Sequence, residues 1–249
     1  MWWIAHGEHE VPRGTDWLSP RERDVLAGIR YTKRHTEFLT RRWTAKRAVA
    51  AVLELELAPD ALAAVEIGHH PGGAPFVVVD GERKAIDVSL SDRAGWAVCL
   101  VAEPGDTAGP VGIDLELVEP RSEGFVDDFF TAAERDYVRG LPAGKARDEA
   151  ANLIWSAKEA ALKVLKVGLR ADTRDVAVAV GRERRGDGWG PLAITHRGGA
   201  VFAGWWRRDG VFLLTIARAA PVPPPARLSG SGDLATAAPV DSWLARPLV

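Results

Sequence analysis

The sequence predicts an α+β protein with two halves, each holding one long helix and several short strands. Apolar residues at helical spacing indicate the helices, one from about residue 36 and the other from about residue 145. Short apolar runs bounded by glycine, proline or aspartate indicate the strands. With 249 residues, 47% of them hydrophobic, the chain can bury a core without disulfides.

The elements of the first half follow from local signals. Ser19 and Pro20 form a helix start, with serine as the N-cap and proline in the first turn. The long helix is predicted over residues 36–57, because apolar positions recur every three or four residues and Pro59 follows. Strands are predicted at residues 63–67, 76–79, 85–90 and 96–102.

A loop rich in glycine, proline and aspartate over residues 103–110 separates the two halves, which we assign to residues 1–106 and 107–218. The second half is predicted to hold strands at 111–118, 176–180, 200–207 and 211–217, with helices at 125–130, 131–139 and 145–166. Residues 219–249 are rich in alanine and proline, and we expect them to form a flexible tail.

Composition excludes several classes of protein. The formal net charge of -2 gives no sign of a nucleic acid partner, and no apolar run is long enough to span a membrane. The single cysteine, Cys99, lies in an apolar run and excludes a disulfide framework. The first residues do not resemble a signal peptide, so we expect a cytoplasmic protein. Residues 30–47 carry a local excess of basic residues, which indicates either an anionic ligand or a solvated helix face.

Two acids lie close together on the strand that opens the second half. Asp114 and Glu116 are two residues apart, so a strand presents both on one face, with Ile113 and Leu115 on the other. Like charges side by side are unfavourable unless a cation lies between them, and Mg²⁺ favours one or two protein carboxylates. The alternative is an edge strand whose polar face meets water.

The long helix of the second half contains Trp155, Glu159 and Lys163 at intervals of four, which places them on one face. Lys158 lies about 100° round the helix from Glu159, at the margin of that face. By itself this pattern is also typical of an amphipathic helix with a glutamate–lysine pair.

Together, the glycine-isoleucine-acid-x-acid strand and the W-S-x-K-E-A-x-x-K helix resemble the two signature motifs of the phosphopantetheinyl transferase superfamily. Phe129, Phe130 and Glu134 resemble the F-F-x-x-x-E element between those motifs. Gly73 and Pro75 resemble the G-x-P element of the family, and the stretch from Arg34 to Lys46 resembles its basic helix. The resemblance covers roughly residues 15–218, and the length matches the larger class, which activates polyketide, nonribosomal peptide and siderophore synthetases.

The resemblance implies two halves related by pseudo-twofold symmetry, with coenzyme A in the cleft between them, and a monomer. It implies transfer of the 4′-phosphopantetheine arm of coenzyme A to a serine of an acyl or peptidyl carrier protein, with release of adenosine 3′,5′-bisphosphate. The implied catalytic residues are Asp114, Glu159 and Lys163, and the implied Mg²⁺ ligands are Asp114, Glu116 and Glu159. Residues implied to contact coenzyme A are Arg34, Arg42, Lys46, Gly73, Pro75, Ser91, Asp92, Arg93, Lys158 and Lys163.

One departure from the family pattern concerns a phosphate contact. Ser91, Asp92 and Arg93 stand where the family has Ser-His-Ser, and the family's histidine contacts a phosphate of coenzyme A. An ionised aspartate cannot donate a hydrogen bond to phosphate, so we expect Asp92 to point away or to be neutralised, with Arg93 the nearest basic residue. The departure leaves a non-catalytic relative that binds coenzyme A or a carrier protein as one alternative. A metal-dependent phosphoesterase or nuclease is a second.

Overall fold

The computed structural model describes residues 1–167, 171–181 and 185–240. These residues form two compact units. The N-terminal unit comprises Met1–Thr107, Pro225–Leu234 and the segment that begins at Ala238, and the C-terminal unit comprises Ala108–Pro224 with Ala235–Ala237. Both units combine helices with antiparallel strands, so the predicted α+β class is confirmed. The twofold symmetry stays a prediction.

The N-terminal unit contains a long helix and two sheets. Its elements are β1 (Trp2–Gly7), α1 (Pro20–Ala27), α2 (Thr32–Val52), β2 (Val65–His69), β3 (Pro75–Val79), β4 (Glu82–Arg83), β5 (Val88–Arg93), β6 (Trp96–Val101) and β12 (Ala226–Arg227). One sheet has the order β12-β1-β6-β5 and the other β2-β3-β4. Helix α2 packs on β1, β5 and β6 through a core that includes Ile4, Ala45, Val49 and Cys99.

Helix α2 begins and ends about four residues earlier than the sequence predicts. The amide of Leu53 closes the last turn on the carbonyl of Val49, and Glu54 then adopts a left-handed conformation with φ of 55°. That conformation is unfavourable for a residue with a side chain and does not continue a helix. Leu57, predicted on the helical face, therefore lies beyond the helix and is exposed.

The C-terminal unit packs its long helix against one five-stranded sheet. Its elements are β7 (Val111–Leu117), α3 (Glu123–Phe129), α4 (Ala132–Gly140), α5 (Lys145–Leu165), β8 (Val176–Val180), β9 (Gly190–His196), β10 (Val201–Asp209) and β11 (Phe212–Arg218). The strand order is β7-β11-β10-β9-β8, so β7 is an edge strand whose inner neighbour is β11. Helix α5 lies over β7 and β11 and is within two residues of its predicted bounds.

The segment after residue 219 is not the flexible tail that the sequence predicts, as far as residue 240. Ala226 and Arg227 pair in parallel with the start of β1, and the amide of Gly232 donates to the carbonyl of Ala5 at 2.7 Å. Leu234 is 2% exposed. These backbone hydrogen bonds satisfy an otherwise open sheet edge, a gain that composition does not reveal. Residues 241–249, also assigned to the tail, lie outside the described residues.

None of the described helices combines the length and the apolar character needed to cross a bilayer.

Candidate functional site

The acid strand β7 approaches helix α5 unusually closely at one glycine. A Cβ atom on Gly112 would lie 1.9 Å from the carbonyl oxygen of Ala160, a distance that no real side chain tolerates. Glycine is therefore required for this backbone contact. The close approach brings the carboxylate of Asp114, two residues further along the strand, against the side chains of α5.

Asp114 is buried and accepts hydrogen bonds from two side chains of α5. The ammonium group of Lys163 lies 2.8 Å from Oδ1 of Asp114, and the hydroxyl of Ser156 lies 2.8 Å from Oδ2. Lys163 also donates to the carbonyl oxygen of Ile113 at 2.8 Å. Asp114 is 5% exposed, so the alternative of a polar strand face that simply meets water is wrong for this residue.

Glu116 points to the same face of β7 and has different partners. The indole Nε1 of Trp155 donates to its Oε1 at 2.9 Å, and Arg121 donates to its Oε2 at 3.2 Å. Arg121 is anchored in turn, because its Nε donates to Oδ1 of Asn152 at 2.7 Å. The sequence did not indicate Arg121 as a site residue, because it belongs to no spacing pattern that marks chemistry. Ser156 lies within the W-S-x-K-E motif, but the pattern assigned it no role.

Glu159 is the acid of this group whose environment is least compensated. Its Oε1 is buried and has no hydrogen-bond partner among the described residues. Burial, and then the charge of Asp114, raises the pKa of Glu159 to about 7, while the charge of Lys163 acts in the opposite direction and that of Glu116 raises it further. A carboxyl group with this pKa can hold or release a proton near neutral pH.

The carboxylates fit a divalent cation in chemistry, although they do not form a finished metal site. Within the described ranges no group of three or more histidine, cysteine or acidic side chains is arranged to hold a metal. Asp114 instead takes its positive charge from Lys163. The orphaned oxygen of Glu159, beside two further acids, is nevertheless the kind of group that a hard cation would stabilise.

Lys158, implied as a phosphate ligand, is committed to the protein interior. It is fully buried, with its ammonium group 2.8 Å from Oε2 of Glu134 and 2.9 Å from the carbonyl oxygen of Thr173, and it also donates to the carbonyl of Val176. Burial lowers its pKa, and the charge of Glu134 opposes that shift. The three donors of this ammonium group are thus all used within the protein, and none is left for the phosphate contact that the resemblance implies.

Lys46 of the basic helix is buried in the same way. Its ammonium group lies 2.6 Å from Oε2 of Glu22 and donates to the carbonyls of Trp17 and Leu62 at 2.9 and 3.0 Å. It is 0% exposed, so it too is unavailable to a phosphate.

Arg42 is held by neighbours in the N-terminal unit. Its Nε lies 3.3 Å from Oε1 of Glu22, and its NH2 lies 3.2 Å from Nδ1 of His69. Burial lowers the pKa of Arg42 to about 10. Arg42 is 6% exposed, so little of its guanidinium surface is left for the contact with coenzyme A that the resemblance implies.

The remaining predicted contacts lie nearer the surface of the N-terminal unit. Arg34 is exposed near the start of α2. Gly73, with φ of 88°, closes an exposed turn in which its amide donates to the carbonyl of His70, and Pro75 begins β3. Ser91 is buried on β5, and the half-buried Arg93 follows it two residues later.

Asp92 is neutralised, as expected, but its partner is not Arg93. NH1 of Arg41 lies 2.6 Å from Oδ1 of Asp92. The two residues are 51 positions apart in the chain, on α2 and β5. Such a long-range pair leaves no local pattern, and sequence reasoning missed Arg41 for that reason.

The similarity of the whole chain to known proteins is limited. No curated protein matches the chain. Among solved structures, the holo-[acyl-carrier-protein] synthase of Thermotoga maritima is similar at 22% identity with a TM-score of 0.35. That match covers 45% of this chain and 62% of that protein.

A family model described as the 4′-phosphopantetheinyl transferase superfamily matches residues 110–190. These residues include the acid strand, the F-F-x-x-x-E element and the W-S-x-K-E helix. Over residues 110–190, the chain is therefore similar to the 4′-phosphopantetheinyl transferase superfamily, in agreement with the resemblance stated from the motifs.

Proposed function

We propose that this protein transfers the 4′-phosphopantetheine arm of coenzyme A to a serine of an acyl or peptidyl carrier protein. The observation that carries the proposal is the group formed by Asp114, Glu116, Glu159 and Lys163 on β7 and α5. It places a buried carboxyl oxygen of Glu159 near two further acids and beside a lysine that is 28% exposed. The family match covers all four residues.

Asp114, Glu116 and Glu159 would hold Mg²⁺, which when bound supplies positive charge for the pyrophosphate of coenzyme A. The chain's own contribution begins with Lys163. Its contact with Asp114 fixes the ammonium group beside the acids, where it can share its charge with an incoming phosphate. Trp155 and Arg121 fix the carboxylate of Glu116 through its two oxygens.

The proposed reaction is a displacement at phosphorus. The serine oxygen of the carrier forms a bond to the β-phosphorus of coenzyme A, the bond from that phosphorus to the bridging oxygen breaks, and adenosine 3′,5′-bisphosphate leaves with the bridging oxygen. The serine proton passes to Glu159, whose pKa near 7 suits a general base at neutral pH. Binding a metal would weaken Glu159 as a base, so the two proposed roles of this residue compete.

The test is intact mass spectrometry of acyl and peptidyl carrier domains incubated with coenzyme A and Mg²⁺. We expect a mass gain of one phosphopantetheine group, lost in Glu159→Gln. That variant keeps the shape of the side chain and removes one of three repelling charges, so it should fold at least as stably as the wild type. Asp114→Ala is a poorer choice, because it leaves Lys163 and Ser156 without their buried partner.

Two outcomes would contradict the proposal. Binding of coenzyme A without any modified carrier would indicate a non-catalytic relative. Release of adenosine 3′,5′-bisphosphate in the absence of a carrier would indicate a phosphoesterase, because water rather than serine would then accept the phosphoryl group.

A further inference from the structure

Arg121 contacts the acid group of the C-terminal unit, although it belongs to neither signature motif. Its Nε donates to Oδ1 of Asn152 at 2.7 Å, and its NH2 donates to Oε2 of Glu116 at 3.2 Å. Asn152 is fully buried and is fixed in turn, because its amide nitrogen donates to the carbonyls of Asp148 and Glu119 at 2.8 and 2.6 Å. Helix α5 therefore holds the guanidinium against Glu116 in a defined orientation.

The acid group already contains its own positive charges. Arg121 forms an ion pair with Glu116, and Lys163 forms one with Asp114 at 2.8 Å. The side chains of Arg121 and Glu116 are 16% and 13% exposed, so water screens this pair only weakly. Two of the acids are therefore balanced by cations that belong to the protein itself.

These ion pairs change what the acid group can bind. A divalent cation that approaches by itself meets two fixed positive charges as well as the acids. Like charges at short distance repel strongly in a partly buried site, and this repulsion opposes binding of the metal alone. A pyrophosphate reverses the balance, because its negative charge attracts the metal and both side-chain cations. The charges of the chain thus favour joint binding of metal and pyrophosphate over binding of metal alone.

Arg121 also has a second acid within reach. Its NH1 lies 3.5 Å from Oε1 of the partly exposed Glu119, and its guanidinium carbon lies 4.8 Å from the ring centroid of Phe125. These two contacts can hold the arginine when Glu116 turns to a metal, since neither depends on Glu116. The release of Glu116 therefore leaves the guanidinium with a partner, and no charge is stranded in the protein.

We propose that Arg121 withholds Glu116 from a divalent cation until pyrophosphate arrives with it. Arg121 acts through Glu116 and is a positioning residue, not a catalytic one. The ion pair makes the binding of metal and the binding of coenzyme A mutually dependent, so that each strengthens the other by the same factor. The inference rests on the proposed function, because that function brings the pyrophosphate of coenzyme A to these acids.

The test measures binding of Mn²⁺, a paramagnetic substitute for Mg²⁺, by electron paramagnetic resonance of the free ion, with and without coenzyme A. Mn²⁺ that coenzyme A binds in buffer alone is subtracted. Wild-type protein should bind Mn²⁺ weakly by itself and roughly tenfold more tightly with coenzyme A. Arg121→Gln removes the charge and keeps a hydrogen-bond donor. This variant should bind Mn²⁺ alone several-fold more tightly than the wild type, and coenzyme A should then add less.

Two further variants separate the charge of the arginine from its shape. Arg121→Lys keeps the charge without the fork of donors, so it should bind Mn²⁺ alone as weakly as the wild type does. Arg197→Gln is the matched control, because it removes the same charge from an exposed position of the same unit, where Arg197 pairs with Asp175 at 3.3 Å. It should leave Mn²⁺ binding unchanged. A purely structural role of Arg121 predicts the opposite sign for Arg121→Gln, because a Glu116 that is no longer held would bind Mn²⁺ more weakly.

Three results would overturn the inference: weaker or unchanged binding of Mn²⁺ alone in Arg121→Gln, an equal gain in Arg197→Gln, or a wild type whose Mn²⁺ affinity does not rise with coenzyme A. If thermal unfolding shows that Arg121→Gln does not fold, Arg121→Ala replaces it, since water can reach both former partners at this partly exposed position. A wild type that shows the expected coupling but modifies no carrier contradicts the proposed function and leaves this inference standing. A wild type that modifies carriers but binds Mn²⁺ equally tightly without coenzyme A does the reverse.

Discussion

Lys46 and Lys158 are each paired with a buried glutamate. Each ammonium group lies within 3 Å of a carboxylate that is itself under 5% exposed, and each also donates to backbone carbonyls. Burying a charge is unfavourable unless a partner and further hydrogen bonds compensate for the lost water. Both lysines meet that condition, which explains why a fully buried ammonium group is tolerated in each unit.

We predict that Lys158→Ala lowers the free energy of unfolding by about 3–5 kcal/mol, because it leaves Glu134 charged and unpaired in the core. Denaturant unfolding monitored by tryptophan fluorescence measures this. The double variant Lys158→Met with Glu134→Leu should recover most of the loss, since it removes both charges together. Normal stability in Lys158→Ala, combined with weaker coenzyme A binding, would reinstate the phosphate role implied by the sequence.

The burial of His6 predicts that the free energy of unfolding falls at acidic pH. Burial, and then the charge of Arg47, lowers the pKa of His6 from 6.5 to about 4. In the unfolded chain His6 takes up a proton below pH 6.5, whereas in the folded protein it stays neutral until about pH 4. Stability is therefore complete above pH 6.5 and falls as the pH drops towards 4, by up to about 3 kcal/mol.

The measurement is the free energy of unfolding between pH 7 and pH 4 for the wild type and for His6→Gln, which cannot titrate. The difference between the two curves should shrink or change sign as the pH falls. His9→Gln serves as the control, because His9 is exposed on the surface. Parallel curves for the wild type and His6→Gln would show that His6 contributes nothing to acid sensitivity.

At the scale of elements, the segment that carries β12 is the least expected part of the fold. It lies along β1, with the hydroxyl of Ser231 accepting from the amide of Ala5 at 2.9 Å. Further on, the carbonyl of Ala238 accepts from the indole of Trp96, and the amide of Val240 donates to the carbonyl of Ala94. An edge strand is thus covered by the protein's own chain, which prevents pairing with other molecules.

We predict that Leu234→Ala lowers the unfolding free energy by about 2–4 kcal/mol, because Leu234 is 2% exposed and its removal leaves a cavity. Truncation after Pro224 should lower the melting temperature further, since it also removes the hydrogen bonds to β1. Pro239→Ala, at an exposed position, should have no measurable effect. An unchanged melting temperature of the truncated protein would support the flexible tail that composition indicates.

The sequence predicted those elements whose local signals agree with their tertiary contacts. Strand β7 and helix α5 are strongly patterned and lie where expected, and Ser19 caps α1 through the amide of Glu22. The sequence did not predict contacts between residues that lie far apart in the chain. The contact of Arg41 with Asp92 and the pairing of β12 with β1 join segments far apart in the chain, and spacing rules describe only neighbours.

At the scale of the whole molecule, the two units repeat one set of contacts. In each unit, a serine or threonine caps a short helix, and a glutamate in the first turn of that helix accepts a hydrogen bond from the backbone amide of the cap residue. The same glutamate pairs with a lysine of the long helix and accepts a hydrogen bond from the amide of a strand residue. The members are Ser19, Glu22, Lys46 and Ile67 in the N-terminal unit, and Thr131, Glu134, Lys158 and Val178 in the C-terminal unit. This repetition supports two similar halves without defining a symmetry axis.

The acid site belongs to only one of the repeated units. Where α5 carries Glu159 directly after its buried lysine, α2 carries Arg47 after Lys46. The charge at that position is therefore reversed, and the N-terminal unit keeps the scaffold without the carboxylates that a cation needs. We infer that the buried lysine–glutamate pair is a structural feature of both units, whereas the proposed metal chemistry would depend on acids of the C-terminal unit.

If each lysine–glutamate pair stabilises its own unit, the loss of one pair should destabilise only the unit that contains it. The amide of Ile67 donates to Glu22 at 3.0 Å, and the amide of Val178 donates to Glu134 at 2.8 Å. We predict that Glu22→Gln increases hydrogen exchange on β2 but not on β8, and that Glu134→Gln does the reverse, because a neutral amide holds the lysine and the strand amide less strongly. Exchange measured by mass spectrometry on peptides from both strands reads the two effects in one sample. Faster exchange on both strands in either variant would mean that the two units unfold as one cooperative body rather than separately.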